Sequence, residues 1–177
     1  KGFSPKLKTY VEKNYKDSKS DLFAVFIERC NEFTKKNCYT SMITMQSWMF
    51  LSSFENLRKN IIEKTEIKSL LQLGYGVIGI AFGTTAFNLK KSLPAENRGN
   101  YFRMFDKIAQ NIKTEDCATL FRIAKSNDSF RYKFDEYSSE NKISETIESN
   151  EQGNLIKFQA KQKDFEKIPG SPIAYWV

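Results

Sequence analysis

Six residues near the middle of the chain, Gly74-Tyr75-Gly76-Val77-Ile78-Gly79, carry the letters of a dinucleotide-binding fingerprint. That chemistry needs closely spaced glycines so that backbone amides can approach a pyrophosphate, and a helix directly after them whose amino terminus holds it. The residues that follow, Ala81-Phe82-Gly83-Thr84-Thr85-Ala86-Phe87-Asn88-Leu89, are instead rich in β-formers. The pattern therefore predicts a flexible turn feeding an antiparallel edge strand over residues 81–89, with a phosphate cradle as the competing reading. A P-loop is excluded, because no Gly-Lys-Ser/Thr follows. Histidine is absent from the sequence, which removes Ser-His-Asp and Cys-His nucleophiles and mixed Cys/His zinc sites from this chain, so no metal site is expected. Cys30, Cys38 and Cys117 show no close pairing; their odd number suits a reducing, cytoplasmic setting rather than a disulfide framework.

Composition narrows the partners. Lys and Arg number 28 against 21 Asp and Glu, giving a net charge of +7 and an isoelectric point near 9.2, a balance that suits a polyanion or simply a solvated surface. Hydrophobic residues make up 40% of the sequence and aromatic residues 14%, enough for a globular core. No apolar run is long enough to span a membrane, so no membrane partner is expected. The sequence starts at Lys1 and stops inside the apolar run Ile173-Ala174-Tyr175-Trp176-Val177. Both ends are expected to be cut, with the function belonging to a larger parent.

The elements that would position these residues follow from periodicity. A short helix is predicted over Pro5–Asn14. Leu22, Phe23, Val25, Phe26, Ile27, Cys30 and Phe33 recur at helical spacing, with Ser20 or Asp21 placed to cap the start. This helix is expected to end near Lys35-Lys36-Asn37. Residues 39–50 read as a buried strand and its exit loop, with Trp48 a structural residue. Ser52-Ser53-Phe54-Glu55 has the form of a capping box opening a helix to about Lys64. Residues 67–73 give a further strand, and residues 42–45 and 67–73 are expected to be neighbouring parallel strands. Beyond Pro94 come a strand over 101–105, a helix from Thr114 to about Ala124, a strand over 130–134, a polar connection over 138–153 and a strand over 155–160. Two units are expected: residues 1–93, and an α+β extension over 94–177.

Alternating strands and helices fit many α/β folds, so particular residues must choose among them. The block Ser20-Asp21-Leu22-Phe23-Ala24-Val25-Phe26-Ile27-Glu28-Arg29 is similar to the helix after the catalytic Asn-Pro-Pro-Tyr segment in adenine-N6 DNA methyltransferases of the gamma arrangement. Met42-Ile43-Thr44-Met45-Gln46-Ser47-Trp48-Met49-Phe50 resembles that family's next strand with its Ser/Thr-Trp. Phe54-Glu55-Asn56-Leu57-Arg58 matches the Phe-x-x-Leu-Arg of the helix that follows. Within the family, the Met42–Leu51 block, Gly83-Thr84-Thr85-Ala86-Phe87, Gly99-Asn100-Tyr101-Phe102-Arg103 and Ile168-Pro169-Gly170-Ser171-Pro172-Ile173-Ala174-Tyr175-Trp176-Val177 resemble the methyltransferase of BREX-type phage-defence systems. The resemblance is thin from Lys125 to Gln162. Met45 stands where relatives often carry proline, and a loop aromatic of some relatives aligns near Val77.

The resemblance implies the back half of a class I, Rossmann-like methyltransferase sheet with an antiparallel edge strand. The cofactor strand and the Asn-Pro-Pro-Tyr segment are expected upstream of Lys1, and a target-recognition domain near or beyond Val177. It further implies S-adenosylmethionine as cofactor, double-stranded DNA with a flipped adenine as substrate, and other defence-system subunits as partners. Asp21, Leu22 and Phe26 then border the cofactor; on pattern alone, Asp21 reads first as a helix cap and the other two as core. Tyr75 is the aromatic nearest the loop that faces the target base, placed to stack on it. Lys90, Lys91, Arg98 and Arg103 are candidate phosphate contacts. A basic nucleic-acid-binding module without chemistry is the alternative reading.

Overall fold

The computed structural model describes residues 2–73, 76, 78–94, 96, 98–104, 114–127, 130–132 and 154–173. Pro at the first helical position and the Ser4 hydroxyl, which accepts from Leu7 N, start α1 (Pro5–Asn14). Asp21 caps α2 (Leu22–Phe33) by accepting from Phe23 N. The helix stops at Phe33, short of the lysines that follow, because Thr34 turns to extended backbone and its hydroxyl bonds back to Cys30 O. Next come β1 (Tyr39–Met45), a 3₁₀ turn (Gln46–Met49), a second one (Ser52–Phe54) and α3 (Glu55–Lys64). The expected capping box does not form: the 3₁₀ turn leads straight into α3, and Phe54 at its cap makes no side-chain bond. After α3 follow β2 (Glu66–Leu73), β3 (Thr84–Lys90), β4 (Arg98–Arg103), α4 (Thr114–Lys125), β5 (Phe130–Tyr132) and β6 (Asn154–Lys161).

All six strands join one sheet in the order β1-β3-β2-β4-β6-β5. β3 lies antiparallel between β1 and β2, while β2 and β4 run parallel. The expected adjacency of residues 42–45 and 67–73 is thus corrected. The two strands do point the same way, but β3 separates them and is interior rather than at an edge. The connection from β2 through residues 74–83 is short enough to return a hairpin, and hairpin partners pair directly. The sheet continues without a break from β2 into β4 and β6. Gly99 makes this possible, since a Cβ there would stand 2.4 Å from Ile67 O on the neighbouring strand.

The two faces of the sheet carry separate apolar clusters. On the first face α2 and α3 pack over Ile67, Leu70, Phe87, Leu89 and Tyr101, with Ala24, Ile27, Trp48, Leu57 and Ile62 filling the layer. On the second, Leu73, Phe102, Met104 and Ile156 meet Cys117, Leu120 and Ala124 of α4. α1 lies outside the first layer, where Val11 and Tyr15 pack on Leu22 and Val25. Trp48 is fully buried, edge-on to Phe87 at 5.2 Å, and its indole N–H donates to Thr44 Oγ1, as its structural reading requires.

The first core is closed by a charge. Arg58 is 1% exposed, and its guanidinium donates only to backbone carbonyls: Trp48 O (3.0 Å), Leu51 O (2.5 Å), Gly170 O (2.6 Å from Nη2) and Ser171 O (3.2 Å). Gly170 (φ 77) and Ser171 (φ 47) take left-handed backbone to turn those carbonyls inward. Burial holds the Arg58 pKa below the ordinary arginine value. Gln162 performs a second tie: its Oε1 accepts from Ile67 N, and its Nε2 donates to the carbonyls of Ile61, Ile62 and Thr65. Arg58→Met keeps the length of the side chain but strands four buried carbonyls. It is expected to lower stability by about 3–5 kcal/mol, read as a drop in the urea midpoint.

Candidate cofactor and substrate edge

A parallel sheet offers its ligand site outside the carboxyl ends of its strands. Here the parallel pair β2 and β4 ends at Leu73 and Arg103, β1 ends beside them at Met45, and β3 starts there at Thr84. The register sets Thr44, Thr85, Gln72 and Arg103 side by side across four strands, on the face that carries α2 and α3. One pair further in, the row Met42, Phe87, Leu70 and Tyr101 is apolar. The last row before the edge is therefore polar and the next is core. Thr85 and Gln72 are buried. Gln72 Nε2 donates to Gln46 Oε1 at 2.9 Å, and the Gln46 amide lies where a Cβ of residue 83 would stand, 2.3 Å away. A side chain at residue 83 would displace the Gln46 amide from this position. Gln72 Oε1 and Thr84 Oγ1 are buried with no hydrogen-bond partner among the described residues.

α2 brings its amino terminus to this same edge. Its carboxyl end is fixed at the opposite side, where Thr34 meets Thr40 and the Lys91 ammonium donates to Asn31 O and Glu32 O. At its start, Phe23 packs on Phe54, which follows the carboxyl end of β1, with ring centroids 5.6 Å apart. Asp21, Leu22 and Phe26 consequently lie beside the carboxyl edge, with Leu22 and Phe26 one turn apart on one helix face. Leu22 is half-buried against the α1 cluster, while Phe26 is 51% exposed. Phe26 is therefore not a core residue, although its helical spacing permits that reading. Asp21 acts as the helix cap.

The basic candidates do not form one group. Arg103 ends β4 at the carboxyl edge, whereas Lys90 ends β3 and Arg98 begins β4 at the opposite, amino edge. Lys91 is there too, and its ammonium caps the α2 carbonyls, where a cation meets the negative end of the helix dipole. Tyr75 and Val77 lie outside the described residues. No helix follows Gly79, since β3 begins at Thr84, so the dinucleotide cradle is excluded. Burial pushes the Cys117 thiol up to about 11, which leaves it inert as a nucleophile. Among the described residues no cluster of metal-ligating side chains occurs and no helix is long and apolar enough to cross a membrane. A separate cleft of about 450 Å³ lies between α2 and α3, floored by Ile27, Leu57 and Leu89; burial raises the pKa of Glu28 on its wall, against the opposing Ser18 hydrogen bond.

The fold is shared with solved restriction and modification proteins. The fold superposes on the type IIG restriction endonuclease BpuSI with a TM-score of 0.59 at 14% identity, covering 97% of this chain and 19% of that one. The methyltransferase subunit of a type I restriction-modification system from Streptococcus thermophilus gives 0.56 at 13% identity, covering 93% and 33%. The type I restriction enzyme EcoKI M protein gives 0.54 at 14%, covering 89% and 38%. The fold is thus the α/β sheet of these enzymes.

Sequence carries the comparison further. Residues 1–78 match the family described as Eco57I restriction-modification methylase. The chain is 37% identical over 181 aligned positions to the adenine-specific methyltransferase PglX of Lacticaseibacillus casei (strain Zhang), covering 99% of this chain and 13% of that protein. It is 33% identical over 181 positions to the adenine-specific methyltransferase BrxX of Escherichia coli O9:H4 (strain HS), covering 100% and 12%. The resemblance to the BREX-type adenine methyltransferases seen in the motifs therefore extends along the whole chain. The chain spans about one-eighth of the length of these curated relatives.

The exposures of the two α2 phenylalanines separate a core role from a surface one. Phe23→Ala is expected to cost about 2–4 kcal/mol, because the ring packs on Phe54 and the main core. Phe26→Ala is expected to change stability by less than about 0.5 kcal/mol. Thermal melts of the two variants, run side by side, check this.

Proposed function

We propose that this chain is a segment of an adenine-specific DNA methyltransferase that transfers a methyl group from S-adenosylmethionine to the N6 amine of adenine, in restriction-modification or phage defence. The observation that carries the proposal is the coincidence of whole-chain identity to two adenine-specific methyltransferases with the polar carboxyl edge formed by Gln46, Gln72, Gly83 and Thr85. When bound, S-adenosylmethionine supplies an electrophilic sulfonium methyl. The residues present fit its adenine end: Phe26 offers an exposed aromatic face beside Leu22 at the edge where α/β sheets hold ligands. Asp21 contributes through the cap that fixes where α2 begins. Arg103, at the same edge, is the candidate for a DNA contact near the reacting base, with Tyr75 in the adjoining loop as the stacking aromatic.

Residues 1–93 then belong to the catalytic domain, and residues 94–177 lead toward the part that selects the target. That division is one of task rather than of packing, since β4 and β6 extend the same sheet. Double-stranded DNA with a flipped adenine is the substrate of the intact protein, and other defence-system subunits are its partners in the cytoplasm.

The test uses the full-length parent with labelled S-adenosylmethionine and adenine-containing duplex DNA. Label should appear in N6-methyladenine, and Phe26→Ala should weaken cofactor binding by about 1–3 kcal/mol in calorimetry without lowering the melting temperature. The 177-residue chain alone should transfer none. Transfer by this chain alone, or cofactor affinity unchanged by Phe26→Ala, would contradict the assignment.

A further inference from the structure

A row of basic residues lies along the amino edge of the sheet, which is not the edge of the proposed chemistry. At the amino edge, basic residues stand at or near the end of each strand in the row β1-β3-β2-β4-β6. Lys35 and Lys36 lie in the turn leading into β1, which is hydrogen-bonded to residue 91 through Asn37 N and Lys91 O. Lys90 ends β3, Lys68 stands near the start of β2, Arg98 opens β4, and Lys161 closes β6 opposite Arg98, with Lys163 just beyond.

Three acidic residues at this edge are engaged. Glu66 is buried, pairs with Lys68 and accepts from the Ser92 hydroxyl, with the Lys68 hydrogen bond foremost in holding its carboxyl below the usual range. Glu96 pairs with Lys161, and Asp164 with Lys167. Lys35, Lys36, Lys90, Arg98 and Lys163 hold no ion pair among the described residues. Lys35, Lys36, Arg98 and Lys163 are exposed, and Lys90 is half-exposed.

We propose that the amino edge is a second DNA-binding surface, which holds the phosphate backbone of duplex DNA without reading sequence. Four inter-strand steps of about 4.8 Å make a row about 19 Å long. Duplex DNA carries one charge per about 1.7 Å of helix axis with both strands counted, so a row of this length lies against several phosphates. Five cations without ion pairs complement the regularly spaced charges of a duplex, and the exposed Tyr39 and Leu93 lie among them. The surface needs no cofactor and performs no chemistry, so its test is independent of methyl transfer.

The experiment is anisotropy of a labelled 20-base-pair duplex of arbitrary sequence, titrated with the 177-residue chain between 50 and 200 mM salt. The dependence of log K on log salt should have a slope of about −4, as four to five phosphate contacts give, and should not change when S-adenosylmethionine is added. In the variant Lys36→Gln/Lys90→Gln/Arg98→Gln/Lys163→Gln the slope should fall by about three and the affinity at least tenfold. A charge-matched control on α1 and its exit, Lys6→Gln/Lys8→Gln/Lys13→Gln/Lys16→Gln, should stay within about twofold of the unaltered chain. Far-ultraviolet circular dichroism confirms that both variants fold. Undetectable binding at 50 mM salt, or equal losses in the two variants, would overturn the proposal. Preferential displacement of DNA by polyglutamate would also overturn it and assign the edge to an acidic protein.

Discussion

Arg58 imposes the constraint on which the layout of the first core rests. A guanidinium taken out of water must have its donors met, or the burial costs several kcal/mol. Here no carboxylate meets it; four carbonyls from two distant stretches of chain do. Trp48 and Leu51 are the exit of β1, and Gly170 and Ser171 form a turn more than one hundred residues later. The charge therefore fixes three things relative to one another: the end of β1, the first turns of α3 and the segment after β6. Ile173 N follows, donating to Met49 O beside them.

Once the exit of β1 is fixed, the carboxyl edge is fixed with it. Gln46 begins the turn that leads to Trp48, and its amide is held between Gly83 and Gln72. The same turn carries Phe54 toward Phe23 and sets the start of α2 beside the edge. A buried charge far from the edge thus determines where Asp21, Leu22 and Phe26 stand. Its energetic return is modest, as for buried ions generally; what it contributes is a single arrangement of three segments that could otherwise slide. The sheet then presents two edges of different character, one polar and nearly uncharged, the other basic.

Much of this was legible in the sequence, and the exceptions have physical causes. α1 and the start of α2 follow from Pro5 and from the cap at Asp21, which are local signals. The family motifs located β1, α3 and β3 correctly. The order of the strands was not legible. Residues 42–45 and 67–73 share an apolar pattern whether they touch or are parted by β3, because a strand covered on both faces looks alike in either place. Phe26 and Phe23 share helical spacing with the core, and only packing shows that one ring faces Phe54 while the other is exposed. Lys91 reads as one more surface cation, and its helix-capping role depends on β3 ending beside the carboxyl end of α2. Gln46 and Gln72 left a faint signal, a glutamine within the apolar run Leu70-Leu71-Gln72-Leu73, which gains meaning only when the strands are set side by side.

The layout of the first core requires the Arg58 guanidinium to be sealed among those carbonyls in solution. The Nε–H proton of arginine gives its own resonance in nitrogen-correlated NMR spectra, and the Arg58 signal is assignable as the one lost in Arg58→Lys. A donor held by Gly170 O and Ser171 O, away from water, should exchange as slowly as the core amides of β2 and stay visible at mildly alkaline pH. Exchange as fast as that of the exposed Arg98 would show the guanidinium in water, and the link between the exit of β1 and the turn at Gly170 would be wrong.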